Sequence, residues 1–394
     1  MNIIITSPVL FDLQSPYNHL LKDILEGFCA HGHSVIRLVA FDGDDQQGLK
    51  LGLENEHISY LFFKRKRAKK KNIIYRYIED NITGIRMALK ILKMKNVDLL
   101  FEDISYSSIW PIFAAKYKNL KVISMIQDVW PDNAVQTGLI TKKSLLYHWF
   151  EMWQKKVYYK TDHFICISDD MKKFISVKGV KADKIDVIYN WGYSDETIDI
   201  PWSQNQFVKK YDLLQKYFYV VYAGNIGKMQ NVDVIVQAAE FLEIYNDIRF
   251  LIVGDGANRE EIEVLTKGKL NIIMYPMQPP ELAVHIYSMA SVNIIPLVPG
   301  GIQTAMPSKT GVCASCGQPI IMCIEKESNF ADILRDNNAG YTCEPGSAKE
   351  LSEAILQCRQ QYKDKKNYSL FKQYFQKEKN VDKYVKCVEE TIHG

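Results

Sequence analysis

The chain lacks any stretch of 18 consecutive apolar residues, so its sequence predicts no transmembrane helix. Its N-terminus has neither a basic leader nor a long apolar core. Residues 2–6 therefore indicate a first β-strand and not a signal peptide, which favours a cytoplasmic site of action. Hydrophobic residues make up 47% of the 394 residues and charged residues 24%, which are globular proportions. This composition excludes a mainly disordered chain, a collagen-like chain and a coiled coil.

The cysteine pattern gives little support for a metal site. Most of the eight cysteines lie in apolar or helical segments, where free thiols behave as small hydrophobic side chains. Only Cys313 and Cys316 have the spacing of a metal or redox motif, and no second Cys-x-x-Cys or histidine pair accompanies them. We therefore interpret them as two buried thiols on a helix and predict no bound metal.

Positive charge is concentrated in one run at residues 64–71. The net charge is +3, and this run alone contributes seven positive charges, which leaves the rest of the chain slightly acidic. The basic residues are Lys64, Arg65, Lys66, Arg67, Lys69, Lys70 and Lys71. Aromatic residues flank the run, and an apolar stripe at helical spacing follows it. This pattern favours contact with an anionic membrane surface at the inner face of the cell membrane. The alternative is a solvated loop with the stripe facing the core, and nothing indicates nucleic acid as a partner.

Strand-like and helix-like segments alternate along most of the chain, which predicts parallel sheets with helices on both faces. The pattern restarts after Pro201 and a polar run. We therefore predict an α/β protein with two doubly wound, Rossmann-like domains, residues 1–200 and 201–365, that face each other across a cleft. A helical segment at 366–394 is expected to pack back toward the first domain. Such sheets bind ligands beyond the carboxyl ends of their strands.

Three glycine-containing segments follow predicted strands of the second domain, at residues 222–231, 253–261 and 299–311. Glycine lets the backbone approach a ligand closely, and a helix start offers free N–H groups to phosphate. In the third segment Ser308 suits an N-cap, which places Lys309 beside the positive end of the helix dipole. A cation is unfavourable there unless an anion is shared. The segments therefore indicate a phosphate-containing ligand, although the first equally suits a tight strand–helix turn.

Five short stretches resemble the glycosyltransferases with the GT-B fold, in particular the retaining glycosyltransferase family 4. They are, in chain order, Gly32-His33-Ser34-Val35, residues 127–132, 188–191, 223–227 and 306–309. The resemblance extends over most of the chain. Five stretches in the right order make the resemblance more specific than any one of them alone. It implies transfer of a sugar from a nucleotide diphosphate sugar, with UDP favoured over GDP. The implied acceptor is a saccharide or lipid-linked saccharide in the synthesis of a bacterial surface polysaccharide, such as a capsule or O-antigen.

The resemblance also implies site residues. The donor-binding residues would be Gly224, Asn225, Gly227, Gly254, Asp255, Gly256, Pro307, Ser308, Thr310 and Glu325. Lys309 and Lys228 would stabilise the departing diphosphate with no metal ion and no other cofactor. Asp128 would orient the acceptor hydroxyl or accept its proton. The implied acceptor-side residues are Glu102, Asp103 and Ser15.

The chain departs from the family pattern at four positions. Thr304 and Val312 stand where members commonly carry two glutamates, and Asn225 and Gln230 replace a common arginine and lysine. Glu325 is our substitute candidate for binding the ribose hydroxyls. A solvated loop acid is the alternative for Glu325, just as Asp128 alternatively caps the turn at Pro131.

These departures keep two rival functions open. A nucleotide-sugar epimerase of the same fold would need neither an acceptor nor a membrane surface. A non-catalytic partner subunit of a glycosyltransferase would bind nucleotide weakly or not at all, which would fit Thr304 and Val312.

Overall fold

The computed structural model describes residues 1–6, 17–41, 45–64, 73–105, 107–361 and 366–393. The chain divides into two compact units. Unit 1 comprises Met1–Asp132, Ile140–Tyr189 and Glu378–Gly394, and unit 2 comprises Asn133–Leu139 and Asn190–Lys377. Each unit has a parallel sheet with helices, which confirms the prediction of two doubly wound α/β domains.

Unit 1 contains a seven-stranded parallel sheet with the strand order β3-β2-β1-β4-β5-β6-β7. Its strands are β1 (Asn2–Thr6), β2 (Ser34–Phe41), β3 (Ile58–Lys64), β4 (Leu99–Asp103), β5 (Lys121–Ile126), β6 (His163–Cys166) and β7 (Ile185–Val187). Its helices are α1 (Tyr17–Ala30), α2 (Asp45–Lys50), α3 (Ile73–Lys93), α4 (Ile109–Tyr117), α5 (Asp132–Gln136, shared with unit 2), α6 (Leu145–Lys160) and α7 (Asp169–Val177). The central strands β1 and β4 each contain three consecutive apolar residues, 3–5 and 99–101, which are fully buried because helices cover both faces of the sheet.

Unit 2 contains a six-stranded parallel sheet with the strand order β10-β9-β8-β11-β12-β13. Its strands are β8 (Phe218–Ala223), β9 (Ile248–Val253), β10 (Ile272–Tyr275), β11 (Val292–Pro296), β12 (Ile320–Cys323) and β13 (Gly340–Cys343). Its helices are α8 (Gln206–Lys210), α9 (Asp233–Phe241), α10 (Arg259–Thr266), α11 (Ala283–Met289), α12 (Gly301–Thr304), α13 (Lys309–Ser315), α14 (Asn329–Asp336) and α15 (Ala348–Gln361). Strand β13 was not predicted from the sequence, because its four residues are only partly apolar.

The boundary between the units differs from the predicted position near residue 200. Unit 2 begins at Asn190, because Trp191 is buried in it and lies against Gly311. A Cβ added to Gly311 would lie 2.9 Å from the carbonyl carbon of Trp191. Residues 366–377 also group with unit 2, where the backbone N–H of Asn367 donates to the Gly317 carbonyl. The polar run after Pro201 is therefore a segment within unit 2 and not a linker.

The last helix, α16 (Lys377–His393), packs on unit 1. Its Tyr384 is fully buried, and the ring centroid lies 6.1 Å from that of Phe101 in β4. The Asn380 side chain donates to the Tyr189 carbonyl. Within the described ranges, no helix is both long enough and apolar enough to cross a membrane.

Candidate donor and acceptor sites

Lys309 opens α13 and holds its ammonium group in an unusual environment. The Nζ atom is buried, has no hydrogen-bond partner within the described part of the chain, and lies 4.0 Å from the centre of the Tyr222 ring. Burial lowers the pKa of Lys309 to about 8. A buried ammonium without an acceptor is costly, and the π-face of Tyr222 compensates for only part of its lost hydration. The group is therefore suited to receive an anionic ligand.

Gly224 has no side chain, and this creates an open space beside the Lys309 ammonium. This residue follows β8 with a φ of +139°, and a Cβ there would lie 2.7 Å from Lys309 Nζ. A side chain at position 224 would therefore collide with the ammonium and close its approach to the backbone. Glycine satisfies both the dihedral angle and the space at this position.

Gly254 and Gly256 have a packing role in the structure, and their predicted contact with a ligand stays a prediction. A Cβ at Gly254 would lie 1.9 Å from the Gly224 carbonyl oxygen, and one at Gly256 would lie 2.4 Å from the Ile226 carbonyl oxygen. The backbone N–H of Ile226 donates to Asp255 across the same contact, at 2.8 Å. The loop after β9 therefore supports the loop after β8 through backbone packing, which fixes the position of Gly224.

Glu325 follows β12 and is held by the loop after the neighbouring strand β11. Its Oε1 accepts a hydrogen bond of 2.5 Å from the Gly300 backbone N–H. Its Oε2 is buried and has no partner among the residues described. Glu325 is thus not a freely solvated loop acid. One oxygen is fixed by the protein, and the other retains its full capacity to accept a hydrogen bond.

Gln136 holds the same loop after β11 through two hydrogen bonds, a role that was not predicted from the sequence. Its Nε2 donates to the Gly300 carbonyl at 2.5 Å, and its Oε1 accepts from the Thr304 hydroxyl. Thr304 is fully buried. The position where the family pattern has a glutamate is therefore occupied by a short hydroxyl that is paired with a glutamine from a distant part of the sequence.

Other predicted donor residues have diverse surroundings. Ser308 does not cap α13 by a side-chain hydrogen bond, since its backbone is already helical, which corrects that expectation. The Thr310 hydroxyl instead donates to the Pro307 carbonyl at 2.7 Å. Lys228 is exposed. The Asn225 amide donates to Gln230 at 3.1 Å, so these two positions form an uncharged pair next to Gly227.

In unit 1, Glu102 lies at the carboxyl end of β4 and is almost fully buried. It pairs in register with Thr6 of β1, whose hydroxyl donates to the carboxyl group. Burial raises the pKa of Glu102 to about 8, although the hydrogen bonds with Ser108 and Thr6 oppose the shift. Glu102 is therefore a neutral acid at pH 7, with a proton that it can donate.

The remaining residues predicted for this side are less enclosed. Asp103 is half-buried, and Asp128 is exposed, yet partial desolvation raises the pKa of the Asp128 carboxyl. Ser15 and the basic residues after Lys64 lie outside the described residues. Lys64 itself ends β3 and is exposed.

An aromatic pocket of about 40 Å³ lies beyond β4 and was not predicted from the sequence. Its lining includes Ser105, Trp130, Phe150 and Trp153. The indole Nε1 atoms of Trp130 and Trp153 are buried without a partner among the described residues. The pocket therefore offers aromatic faces, which suit the apolar faces of a sugar.

One cluster in the described ranges has the composition of a metal site. Ligand atoms of His163, Asp186 and Cys387 lie within 4.8 Å of one another. His163 Nε2 is 3.0 Å from Asp186 Oδ2, and this hydrogen bond lowers the pKa of the Asp186 carboxyl. The two side chains therefore serve as each other's hydrogen-bond partners. Cys313 and Cys316 are buried free thiols, and burial raises the pKa of Cys316 to about 12.

Comparisons with known proteins agree with this architecture. A model of Glycosyltransferase Family 4 matches residues 18–191, and a model of Glycosyl transferases group 1 matches residues 203–369. The chain therefore belongs to the GT-B glycosyltransferases of family 4. The curated "Probable glycosyltransferase WbjE" of Pseudomonas aeruginosa is 23% identical over 239 residues, which are 60% of this chain and 59% of that protein.

A second curated relative is WcaI of Escherichia coli K12, whose name assigns it to colanic acid biosynthesis. It is 23% identical over 255 residues, which span 62% of this chain and 61% of WcaI. The chain thus spans about three-fifths of the length of the curated relatives that it matches.

Solved structures confirm the fold over the whole chain. Anabaena HepE, solved in complex with UDP, has a TM-score of 0.72 at 13% identity and covers 99% of this chain and 100% of its own. The lipopolysaccharide outer core galactosyltransferase WaaB has a TM-score of 0.62 at 15% identity, with coverage of 100% and 99%. At these identities the likeness establishes the GT-B fold.

Proposed function

We propose that the protein transfers a sugar, with retention at the anomeric carbon, from a nucleoside diphosphate sugar to a saccharide or lipid-linked saccharide acceptor. The reaction serves the synthesis of a bacterial surface polysaccharide at the inner face of the cell membrane. UDP is the favoured nucleotide, a choice that the UDP bound to HepE supports. The name of WcaI supports the synthesis of a surface polysaccharide. The transfer uses no metal ion.

The buried Lys309 ammonium is the observation that carries the proposal. It has no partner within the described chain and faces the space kept open by Gly224. A diphosphate oxygen in that space supplies the missing acceptor and the opposite charge. As the bond between the anomeric carbon and the diphosphate oxygen breaks, negative charge on that oxygen grows, and Lys309 then stabilises the transition state more than the ground state.

Two further groups extend the donor site. The free Oε2 of Glu325 accepts from the ribose hydroxyls, which makes Glu325 the functional substitute for the missing family glutamate. Exposed Lys228, in the loop after β8, adds a second cation for the diphosphate.

Unit 1 provides the acceptor site in this proposal. Asp128 orients the acceptor hydroxyl or takes its proton as the new bond to the anomeric carbon forms. The aromatic pocket with Trp130 and Trp153 holds part of the acceptor saccharide, and neutral Glu102 donates a hydrogen bond.

Calorimetric titration of Lys309→Met with UDP and GDP tests the donor site. Methionine keeps most of the side-chain volume and removes the charge. We expect nucleotide affinity to fall by about 1.5–3 kcal/mol, the range for a hydrogen bond to a charged group, and turnover to fall at least as far. Lys267→Met, at an exposed position of unit 2, is the matched control and should bind normally.

The outcomes separate the proposal from its rivals. Wild-type affinity in Lys309→Met would remove Lys309 from the donor site. Conversion of the donor sugar to its epimer without any acceptor would favour an epimerase. Failure of the wild-type protein to bind any nucleoside diphosphate would favour a non-catalytic partner subunit.

A further inference from the structure

Helix α3 has two apolar faces on opposite sides. The face toward the protein contains Thr83, Met87 and Ile91, which are buried, and the helix packs against α4. The opposite face carries five large apolar side chains that are between 38% and 55% exposed. They are Ile78, Ile82, Ile85, Leu89 and Leu92, and we call them the α3 stripe. At 3.6 residues per turn they line a single narrow strip.

The exposure of the α3 stripe contradicts the alternative in which this stripe faces the core. The stripe does not face the core, because other residues of the helix already do so. Five exposed aliphatic residues in one line are costly in water, at about 25 cal/mol for each Å² of apolar surface that could be buried. The stripe is therefore a surface that requires a partner.

Helix α6 carries a second exposed stripe in the same unit. Leu145, Trp149, Met152 and Tyr159 recur at spacings of three, four and seven residues and are exposed, with Leu145 at 87% and Tyr159 at 84%. The ring of Trp149 contacts Tyr77 of α3, with centroids 5.6 Å apart. We call these four residues the α6 stripe.

Positive charge accompanies both stripes. Arg86, Lys90 and Lys93 are exposed beside the α3 stripe, and the basic run directly precedes α3 in the sequence. A depression of about 590 Å³ borders the α6 stripe. Three lysines and one glutamate line it together with apolar and aromatic side chains, so its net charge is positive: Phe113, His148, Glu151, Met152, Lys155, Lys156, Tyr159 and Lys160.

We propose that the α3 and α6 stripes dock unit 1 on an anionic lipid bilayer, with the aliphatic and aromatic side chains in the interfacial region and the lysines at the headgroups. The combination of apolar, aromatic and basic residues is that of interfacial helices. A second copy of the chain is disfavoured as the occupant, because pairing two α3 helices would bring their flanking cations together. The proposal deepens the membrane contact in the proposed function and needs no glycosyl transfer for its test.

Flotation with vesicles of phosphatidylglycerol and phosphatidylcholine tests the proposal without donor or acceptor. We expect Ile78→Ser with Leu89→Ser to reduce vesicle partitioning by at least about tenfold, because both side chains lose apolar area that enters the interface. Leu145→Ser with Met152→Ser should act in the same direction. The matched control is Ile244→Ser with Leu270→Ser, two exposed apolar residues of unit 2, which should bind vesicles normally.

The basic run and the stripes have separable effects. Replacing its seven basic residues by glutamine should weaken the salt dependence of binding, because the cations beside the stripes remain. The stripe variants should keep the full salt dependence and lose affinity. Thermal melts and nucleotide titration establish that each variant is folded.

Two results would overturn the proposal. One is vesicle partitioning of the α3 variant equal to that of the unit 2 control. The other is a wild-type dimer in light scattering that Ile78→Ser with Leu89→Ser converts to a monomer while vesicle binding is unchanged, which would assign the stripe to a second copy.

Discussion

The two sheets have the same strand order around their central strands but carry different ionisable groups at the point where the order reverses. In unit 1, Glu102 lies where β1 and β4 end. In unit 2, Lys309 lies against Tyr222 and Gly224 at the end of β8. Burial disfavours the charged form of both groups. It raises the pKa of the Glu102 carboxyl to about 8 and lowers the pKa of the Lys309 ammonium to about 8.

The difference shows how one architecture acquires two binding preferences. At pH 7 the unit 1 group is neutral and the unit 2 group is mainly positive. A neutral acid suits hydroxyl groups, and an unpaired ammonium suits a diphosphate. The fold places an ionisable side chain at the same point of both sheets, and the charge of that side chain at pH 7 differs between the units.

Gly254→Ala should produce the largest effect, because it disrupts the backbone packing that positions Gly224 beside Lys309 in unit 2. Its Cβ would lie 1.9 Å from the Gly224 carbonyl oxygen, and backbone has no easy way to move aside. We expect the free energy of unfolding to fall by about 3–5 kcal/mol. Gly268→Ala, where φ is +80° and nothing lies within 4 Å, should cost only about 1–2 kcal/mol of backbone strain. Denaturant unfolding measures both, and equal losses would disprove the packing role.

Glu102→Gln should have an intermediate effect that depends on pH. Between pH 4.5 and 8 the unfolded wild-type chain has released a proton that the folded protein retains, so stability falls as pH rises through this window. The variant lacks that dependence and should be about 3 kcal/mol more stable than wild type at pH 7, at about 1.4 kcal/mol for each pH unit above the unfolded pKa. Urea unfolding from pH 4.5 to 8 tests this expectation, with Glu54→Gln, at an exposed position of unit 1, as the control. Parallel curves for Glu102→Gln and wild type would show that Glu102 is ionised.

The pH dependence of nucleotide binding should be the smallest effect. Lys309 loses its proton above pH 8, so wild-type affinity for UDP should fall by up to about tenfold between pH 8 and 9, with proton uptake on binding at pH 8. Calorimetry in buffers of different ionisation enthalpy measures that uptake. Lys309→Arg, which stays charged throughout, should bind with little pH dependence. A wild-type affinity that is constant up to pH 9 would contradict the lowered pKa.

The sequence predicted the layers of the fold because its apolar runs and turn glycines are local signals. It also singled out Lys309, from its place at a helix start, and Glu325, which follows a strand, and the roles of both in the donor site stay predictions. It missed the role of Gln136 and the pocket lined by Trp130 and Trp153, since both depend on contacts between segments that are distant in the chain. The packing role of Gly254 was hidden for the same reason, because a glycine needed by a ligand and a glycine needed by a neighbouring loop look identical in a sequence.

The return of α16 to unit 1 has a consequence for how the protein is made. Tyr384 covers Phe101, and a Cβ at Gly27 would meet Val381 at 2.2 Å, so the core of unit 1 includes residues from both ends of the described chain. During synthesis, every segment of unit 2 leaves the ribosome before α16 does. Domains generally fold as units while they emerge, yet here the N-terminal unit is completed last. The sheet of unit 1 therefore lacks the packing of α16 until unit 2 has been synthesised.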